Sequence, residues 1–294
     1  MPLRYLFIAN PRAGPRRIDL GSLITRCVDS RISWELVHTQ GPGEAVTMAA
    51  SAREEGYDRV VAAGGDGTVN EVARGLLHAP LPFGILPLGS GNALARSIGI
   101  PLHVDDALSC LPNTMPQPID VGMIGHHVFL STAGLGVDAA VCHRFNLSGS
   151  HRRGLWPYLF NSLIALCGFR PDTIEIEYEG KAPTSVTPFL LTIANTPQYG
   201  YGATIAPGAS PTDGKLDVCI VENLTVLRAL LHAHRLFAGT IDLMPGVTMI
   251  RTTQLTVRCG DVRYLQVDGE SVQGDVEMHV EVLPGALEVL LPVE

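Results

Sequence analysis

A parallel α/β domain followed by an all-β sandwich is the fold class predicted for this 294-residue chain. Up to about residue 120, short apolar runs alternate with segments of helical spacing, the pattern of βαβ units and a parallel sheet. Beyond that point strand-like runs dominate, punctuated by glycine and proline, as in a sandwich. Between the apolar run Val60–Ala63 and the helical spacing of Val69, Val72, Ala73, Leu76 and Leu77 lies Gly64-Gly65-Asp66-Gly67-Thr68, a strand-to-helix elbow.

Arg4–Ala9, Trp34–Thr39, Arg59–Ala63 and Phe83–Leu86 are the strands expected in the first part. Between and after them, Leu20 to Val28, Glu44–Glu55, the elbow helix and Ala93–Ile98 are the helices. In the second part, Thr173–Tyr178 alternates with period two and ends at a Gly180-Lys181 turn. Further strands are expected at His127–Thr132, Phe189–Asn195, Leu216–Val221, Leu255–Cys259, Tyr264–Val267, Val276–Leu283 and Leu287–Leu291. Leu155–Phe169 and Val226–Phe237 interrupt them as helices.

The elbow carries the chemistry. Its glycines permit close approach of another group to the backbone. Thr68 and Glu71 have capping-box spacing, which predicts a helix start there. Free N–H groups at such a start bind anions, phosphate above all. Asp66 would repel that phosphate unless Mg²⁺ lies between them or the carboxylate takes a proton during transfer. A glycine turn with Asp as an extra cap is the plainer reading of the same residues. Neither a Gly-x-x-x-x-Gly-Lys-[Ser/Thr] loop nor a Gly-x-Gly-x-x-Gly turn is present, and the two lysines, Lys181 and Lys215, lie outside glycine loops. Asn10, Thr39, Gly64–Thr68 and Gly89-Ser90-Gly91-Asn92 all fall at the carboxyl ends of expected strands, where ligands of such sheets bind. Ser90 or Asn92 can cap the short helix that follows.

Composition narrows the classes. A net charge of −8 argues against nucleic acid as partner and against global attraction to anionic membranes. No stretch approaches the roughly 18 apolar residues of a membrane span, and no signal peptide is expected. Six scattered cysteines without a Cys-x-x-Cys pair fit reduced thiols in a cytoplasmic protein. Asp213-Gly214 reads as a turn entering a strand, and Asp268-Gly269-Glu270 as a hairpin with two carboxylates.

Taken in order, these segments resemble the diacylglycerol kinase catalytic-domain superfamily, which includes bacterial lipid kinases, sphingosine kinases and ceramide kinases. The resemblance runs over Asn10-Pro11 with Gly14, Thr39 with Gly43, Gly64–Glu71, Leu86–Asn92, Gly134-x-Gly136 with Asp138, Asp213-Gly214 and Asp268-Gly269-Glu270. It implies a Rossmann-like domain over 1–120, completed by 285–294, and a β-sandwich lipid-substrate domain over 121–284, with ATP in the cleft between them. By position, Asn10, Thr39, Gly64, Gly65, Asp66, Gly67, Thr68, Asn70, Glu71, Gly89 and Ser90 resemble nucleotide-contacting residues. Asp66 resembles the phosphate-loop carboxylate, acting with Mg²⁺ or as base; Glu270 with Asp268 resembles the acidic pair that supplies the proton acceptor. Asp138 resembles the acid that meets the lipid head, with a strand-end cap as the alternative. Ser210, Asp213 and Lys215 resemble a structural Mg²⁺ site, with Ser210 and Lys215 giving backbone carbonyls. Ala93 departs from the bacterial pattern, where an Asp is common, and Gly89–Ala95 looks like the sphingosine and ceramide kinases.

The reaction implied is transfer of the γ-phosphoryl of ATP to a lipid hydroxyl, diacylglycerol-like or sphingoid. A kinase of the NAD kinase type shares the Gly-Gly-Asp-Gly-Thr elbow, and a non-catalytic nucleotide-binding regulator could keep the fold. The lipid is expected at a membrane surface, reached by transient peripheral contact at the inner face, and a homodimer is compatible with the sequence. His151–Phe160 places Arg152 and Arg153 beside Trp156, Tyr158 and Phe160, suited to an interface; a buried helix face with a solvated basic end is the alternative.

Overall fold

The computed structural model describes residues 2–14, 19–28, 32–147 and 169–293. The chain divides into two compact units, Met1–Ile119 with Gly285–Glu294, and Asp120–Pro284.

The first unit is built on β1 (Leu3–Ala9), β2 (Ile32–His38), β3 (Arg59–Gly64) and β4 (Phe83–Pro87). They run parallel in the order β2-β1-β3-β4. Helices α1 (Leu20–Cys27), α2 (Glu44–Ser51), α3 (Asp66–Leu76), α4 (Ala93–Ser97) and α5 (Val104–Cys110) alternate with and follow the strands. From Val60 to Pro87, every residue of β3 and β4 is buried, as strands covered on both faces must be. Tyr5, Phe7, Ile24, Val61, Leu86 and Leu108 pack in one core. On α3, Val69, Val72, Ala73 and Leu76 turn inward, and Gly75 admits α2: a Cβ there would lie 2.4 Å from the Val46 carbonyl oxygen.

β5 (Thr114–Ile124) enters the second unit at Asp120, and β6 (His127–Phe129), β7 (Thr132–Gly136) and α6 (Val137–Leu147) continue it. β8 (Ile174–Tyr178), β9 (Thr184–Val186), β10 (Pro188–Ala194) and β11 (Leu216–Glu222) follow. Then come α7 (Val226–His232), α8 (His234–Ala238), β12 (Val247–Thr252), β13 (Gln254–Arg258), β14 (Tyr264–Val267), β15 (Glu270–Gln273) and β16 (Glu277–Pro292). One antiparallel sheet has the order β12-β11-β10-β7-β14-β15; the other places β13 between β8 and the first half of β16. Alternation sorts the faces. Leu216, Val218 and Ile220 of β11 join the core between the sheets, whereas Cys219 and Val221 pack outside it with Ile205, Ala206, Ile241 and Met244.

The predicted fold class is the one observed, with local differences. Val276–Leu283 and Leu287–Leu291 form one strand rather than two, because the Pro284-Gly285 irregularity, with Gly285 at φ +57°, changes its partner without ending it. Before the irregularity β16 pairs with β13; after it Val289 pairs with Phe83 of β4. His127–Thr132 divides into β6 and the start of β7, and Val226–Phe237 into α7 and α8. β5, β9, β12, β15, α5 and α6 are elements that the periodicity did not reveal. Prolines inside β5 mask its strand pattern, and α5 and α6 lack a clean apolar stripe. The segment 148–168, with Arg152, Arg153 and most of the expected Leu155–Phe169 helix, lies outside the described residues.

Candidate active site

Two glycine elbows lie against each other at the carboxyl ends of β3 and β4. The Leu88 N–H donates to the Gly64 carbonyl at 2.8 Å, which sets the second elbow beside the first. A Cβ on Gly89 would sit 2.5 Å from the Gly65 Cα, and one on Gly65 3.2 Å from the Gly89 Cα. Backbone meets backbone there, so Gly89 requires glycine and Gly65 has little room for a side chain. α3 begins at Asp66 with Gly65 as its cap residue and no side-chain cap. Its first N–H groups have no acceptor within the helix and carry the positive end of the helix dipole.

Asp66, at the first position of α3, also serves the neighbouring elbow. Its carboxylate accepts from the Asn92 N–H at 2.8 Å and the Ala93 N–H at 2.6 Å, capping α4 from another element. Gly91 faces the same carboxylate, where a Cβ would come within 2.8 Å of Oδ2. The expected side-chain caps are therefore replaced. Asn92 takes a left-handed φ of 50° and gives its amide to the Gly89 carbonyl at 2.8 Å, and Ser90 is exposed. The capping box is also absent. Glu71 reaches away from its own helix to accept the Gly43 N–H at 3.0 Å, and Thr68 receives the Asn10 amide at 3.3 Å. α3 starts two residues before Thr68 because Gly64 and Gly65 already complete the turn.

The remaining nucleotide candidates join the same strand ends. Asn10 donates its backbone N–H to Ala63 and holds the Arg12 N–H on Oδ1. Thr39, buried, donates its N–H to Ala9. Asn70 lies half-buried on the first turns of α3, with Gly67 before it.

In the second unit, Asp268 and Gly269 are the two left-handed residues, φ 46° and 84°, of a hairpin that pairs Val267 with Glu270. Positive φ at both central positions is the type I′ arrangement that suits twisted strands. The Asp268 carboxylate accepts the N–H groups of Leu130, Ser131 and Thr132 at 2.8, 2.8 and 3.1 Å, tying the hairpin to the bend between β6 and β7. Asp268 is thereby a structural ligand of backbone, whereas Glu270 is exposed at the start of β15.

Asp138 sits buried in the first turn of α6. It accepts the Ala139 N–H at 2.7 Å and the Tyr199 hydroxyl at 3.3 Å, and Thr192 hydrogen-bonds it at 3.4 Å. Burial, only partly offset by these bonds, pushes its carboxyl up to about 7. Gly134 makes room for it, since a Cβ there would lie 2.4 Å from Oδ2. Burial also pushes the Cys142 and Cys219 thiols up to about 12, so both are inert at neutral pH.

The expected metal set is close together but already compensated. Asp213 accepts the Lys215 N–H at 3.0 Å on one oxygen and is ion-paired with Arg251 through the other; Ser210 and Thr212 share a hydroxyl contact at 3.1 Å. With both carboxylate oxygens engaged, these residues do not fit a hard divalent cation as arranged. Among the described residues no three His, Cys, Asp or Glu side chains are grouped to hold a metal.

Sequence reasoning missed Asp120 and Asn195. Asp120, buried, accepts the Gly214 N–H at 2.6 Å, and the Asn195 amide bridges the carbonyls of Asp120 and Leu130 at 2.9 and 2.8 Å. An acid between Ile119 and Val121, and an amide ending the apolar run of β10, were the available signals.

Residues 4–124 match the diacylglycerol kinase catalytic domain, and residues 131–291 the YegS C-terminal NAD kinase beta sandwich-like domain. A Pseudomonas putida protein named "Probable lipid kinase YegS-like" is 31% identical over 271 residues, covering 90% of this chain and 85% of its own. The Bacillus subtilis "Diacylglycerol kinase" is 30% identical over 275 residues, covering 91% and 89%. Two diacylglycerol kinase-like structures from Bacillus anthracis cover 98% of the chain with TM-scores of 0.83 and 0.73, at 21% and 19% identity. The matches cover 94% and 96% of those chains.

Proposed function

Because the chain belongs to the diacylglycerol kinase family and is a lipid kinase, we propose that it moves the γ-phosphoryl group of ATP to the hydroxyl of a glycerolipid or sphingoid lipid. The observation that supports this reading is the pair of touching elbows at the α3 N-terminus, a place where anions bind, with Asp66 fixing the second elbow. Phosphoryl transfer needs positioning and charge stabilisation more than covalent help from the protein. The α3 N–H groups would hold phosphate oxygens, and Asn10, Thr39 and Glu71 would set the strand ends around the nucleotide. Mg²⁺ arriving with ATP would neutralise phosphate charge. Glu270 would accept the hydroxyl proton, since Asp268 is committed to three backbone N–H groups. Asp138, whose carboxyl burial raises to about 7, would in its protonated form offer a hydrogen-bond donor to a polar lipid head.

The test is a transfer assay with labelled ATP and Mg²⁺ against diacylglycerol, phosphatidylglycerol, sphingosine, ceramide and NAD. Label should enter at least one lipid and not NAD, and Glu270→Gln should lower kcat with little change in KM for ATP. Label in NAD alone, or in nothing, would overturn the proposal.

A further inference from the structure

Five of the eleven exposed large hydrophobic side chains among the described residues fall within seventeen positions: Leu227, Leu230, Leu231, Phe237 and Leu243. The first three recur at i, i+3 and i+4, forming one stripe of α7, with Leu227 68% and Leu231 63% exposed. Exposure here does not come from a loose segment. Thr225 caps α7 by accepting the Arg228 N–H at 3.3 Å, and Arg235 donates to the Thr240 carbonyl at 3.2 Å beyond α8. Leu224 and Leu236 face the other way, into the cluster of Ile241 and Met244. The inner side of this helix pair is anchored, and the leucines and Phe237 of its outer side are exposed among the described residues. Such patches on soluble surfaces mark interaction sites.

Charge identifies the partner. The chain carries −8 overall, yet from Asn223 to Ile241 there is no Asp or Glu, while Arg228, Arg235, His232 and His234 all fall there. Glu222 and Asp242 bound this run, with Asp242 exposed beside Leu243. Leucine and phenylalanine next to cationic side chains suit the boundary between acyl chains and anionic headgroups. No described helix is long and apolar enough to cross a membrane. We infer that the outer face of α7 and α8 is a docking surface for an anionic bilayer. The inference rests on the lipid-kinase reading only in that a bilayer-borne substrate gives such a surface its use.

Sedimentation of the full chain with phosphatidylglycerol–phosphatidylcholine vesicles and with pure phosphatidylcholine vesicles tests it. Wild type should bind the mixed vesicles more tightly, and L227S/L230S/L231S should lose about tenfold or more in affinity for both. R228E should lose roughly fivefold on mixed vesicles and little on neutral ones. Should the triple variant fail to fold by circular dichroism, L227S alone, at the most exposed of the three leucines, should still weaken binding about threefold. All foldable variants should keep activity on a short-chain soluble diacylglycerol. Failure of wild type to sediment, or unchanged binding by the leucine variants, would overturn the docking surface. So would a wild-type dimer that becomes monomeric in the triple variant with vesicle binding intact, which would assign the patch to a second copy. Failure of the kinase reading would appear separately, as vesicle binding without transfer to any lipid.

Discussion

Asp66 holds two N–H groups of the neighbouring elbow, so its replacement acts on shape and chemistry together. In Asp66→Asn, one acceptor remains and an amide N–H₂ faces a backbone donor. Stability should fall by about 1–2 kcal/mol, read by chemical denaturation. Phosphoryl transfer should fall by about 100-fold or more; activity within a few-fold of wild type would remove Asp66 from the chemistry. Asp138 makes a different prediction. Its folded carboxyl is raised from 3.8 to about 7, so the folded state holds a proton that the unfolded state releases. Its contribution is present below about pH 4 and is lost as pH rises toward about 7, by up to about 4 kcal/mol. Asp138→Asn removes that titration while keeping the shape. The difference in thermal midpoint should therefore shift in favour of the variant across this window, and a constant difference would mean that Asp138 is ionised in its pocket throughout.

At the scale of elements, the two elbows form one device. Gly89→Ala would drive a methyl against the Gly65 backbone at 2.5 Å, which no rotamer change can relieve, so the elbows must part. Gly41 offers the contrast: it lies between β2 and α2, and a Cβ there meets nothing within 4 Å. Gly89→Ala should cost about 1–3 kcal/mol and most of the activity. Gly41→Ala should stay within about 0.5 kcal/mol of wild type. Denaturant melts and initial rates on the same preparations compare them. Equal behaviour of the two variants would show that the close approach is not required.

At the scale of the molecule, β16 ties the end of the chain to its beginning. It leaves the second unit at Pro284 and lays Leu287, Val289 and Leu290 into the first, all nearly inaccessible to solvent. Each buried side chain of this type stabilises by roughly 1.5–3 kcal/mol. Deleting 285–294 should therefore remove more than about 5 kcal/mol, comparable with the whole stability of a domain. The first unit should become protease-sensitive and lose hydrogen-exchange protection in β3 and β4, while the core between the two sheets of the second unit stays protected. Retained protection in β4 would show that the first unit is stable without its last strand.

The sequence by itself determined the βαβ alternation, the sandwich and the identity of both elbows, because those features depend on local periodicity and on glycines whose neighbours in the chain are fixed. Val60–Ala63 reads as a buried strand from its residues alone, and Asp268-Gly269 as a hairpin from its turn chemistry. The tertiary structure decided where polar side chains spend their hydrogen bonds. Asp66 serves Asn92 and Ala93, Glu71 serves Gly43, Asp268 serves Leu130 to Thr132, and Asp213 serves Arg251. Capping rules assume that a side chain bonds to its own helix, and metal motifs assume that a carboxylate is open. Both assumptions fail when another part of the chain brings a nearer donor. The same reason separates Glu270 from Asp268: spacing presents them as a pair, and only packing reveals that one of the two is occupied with backbone.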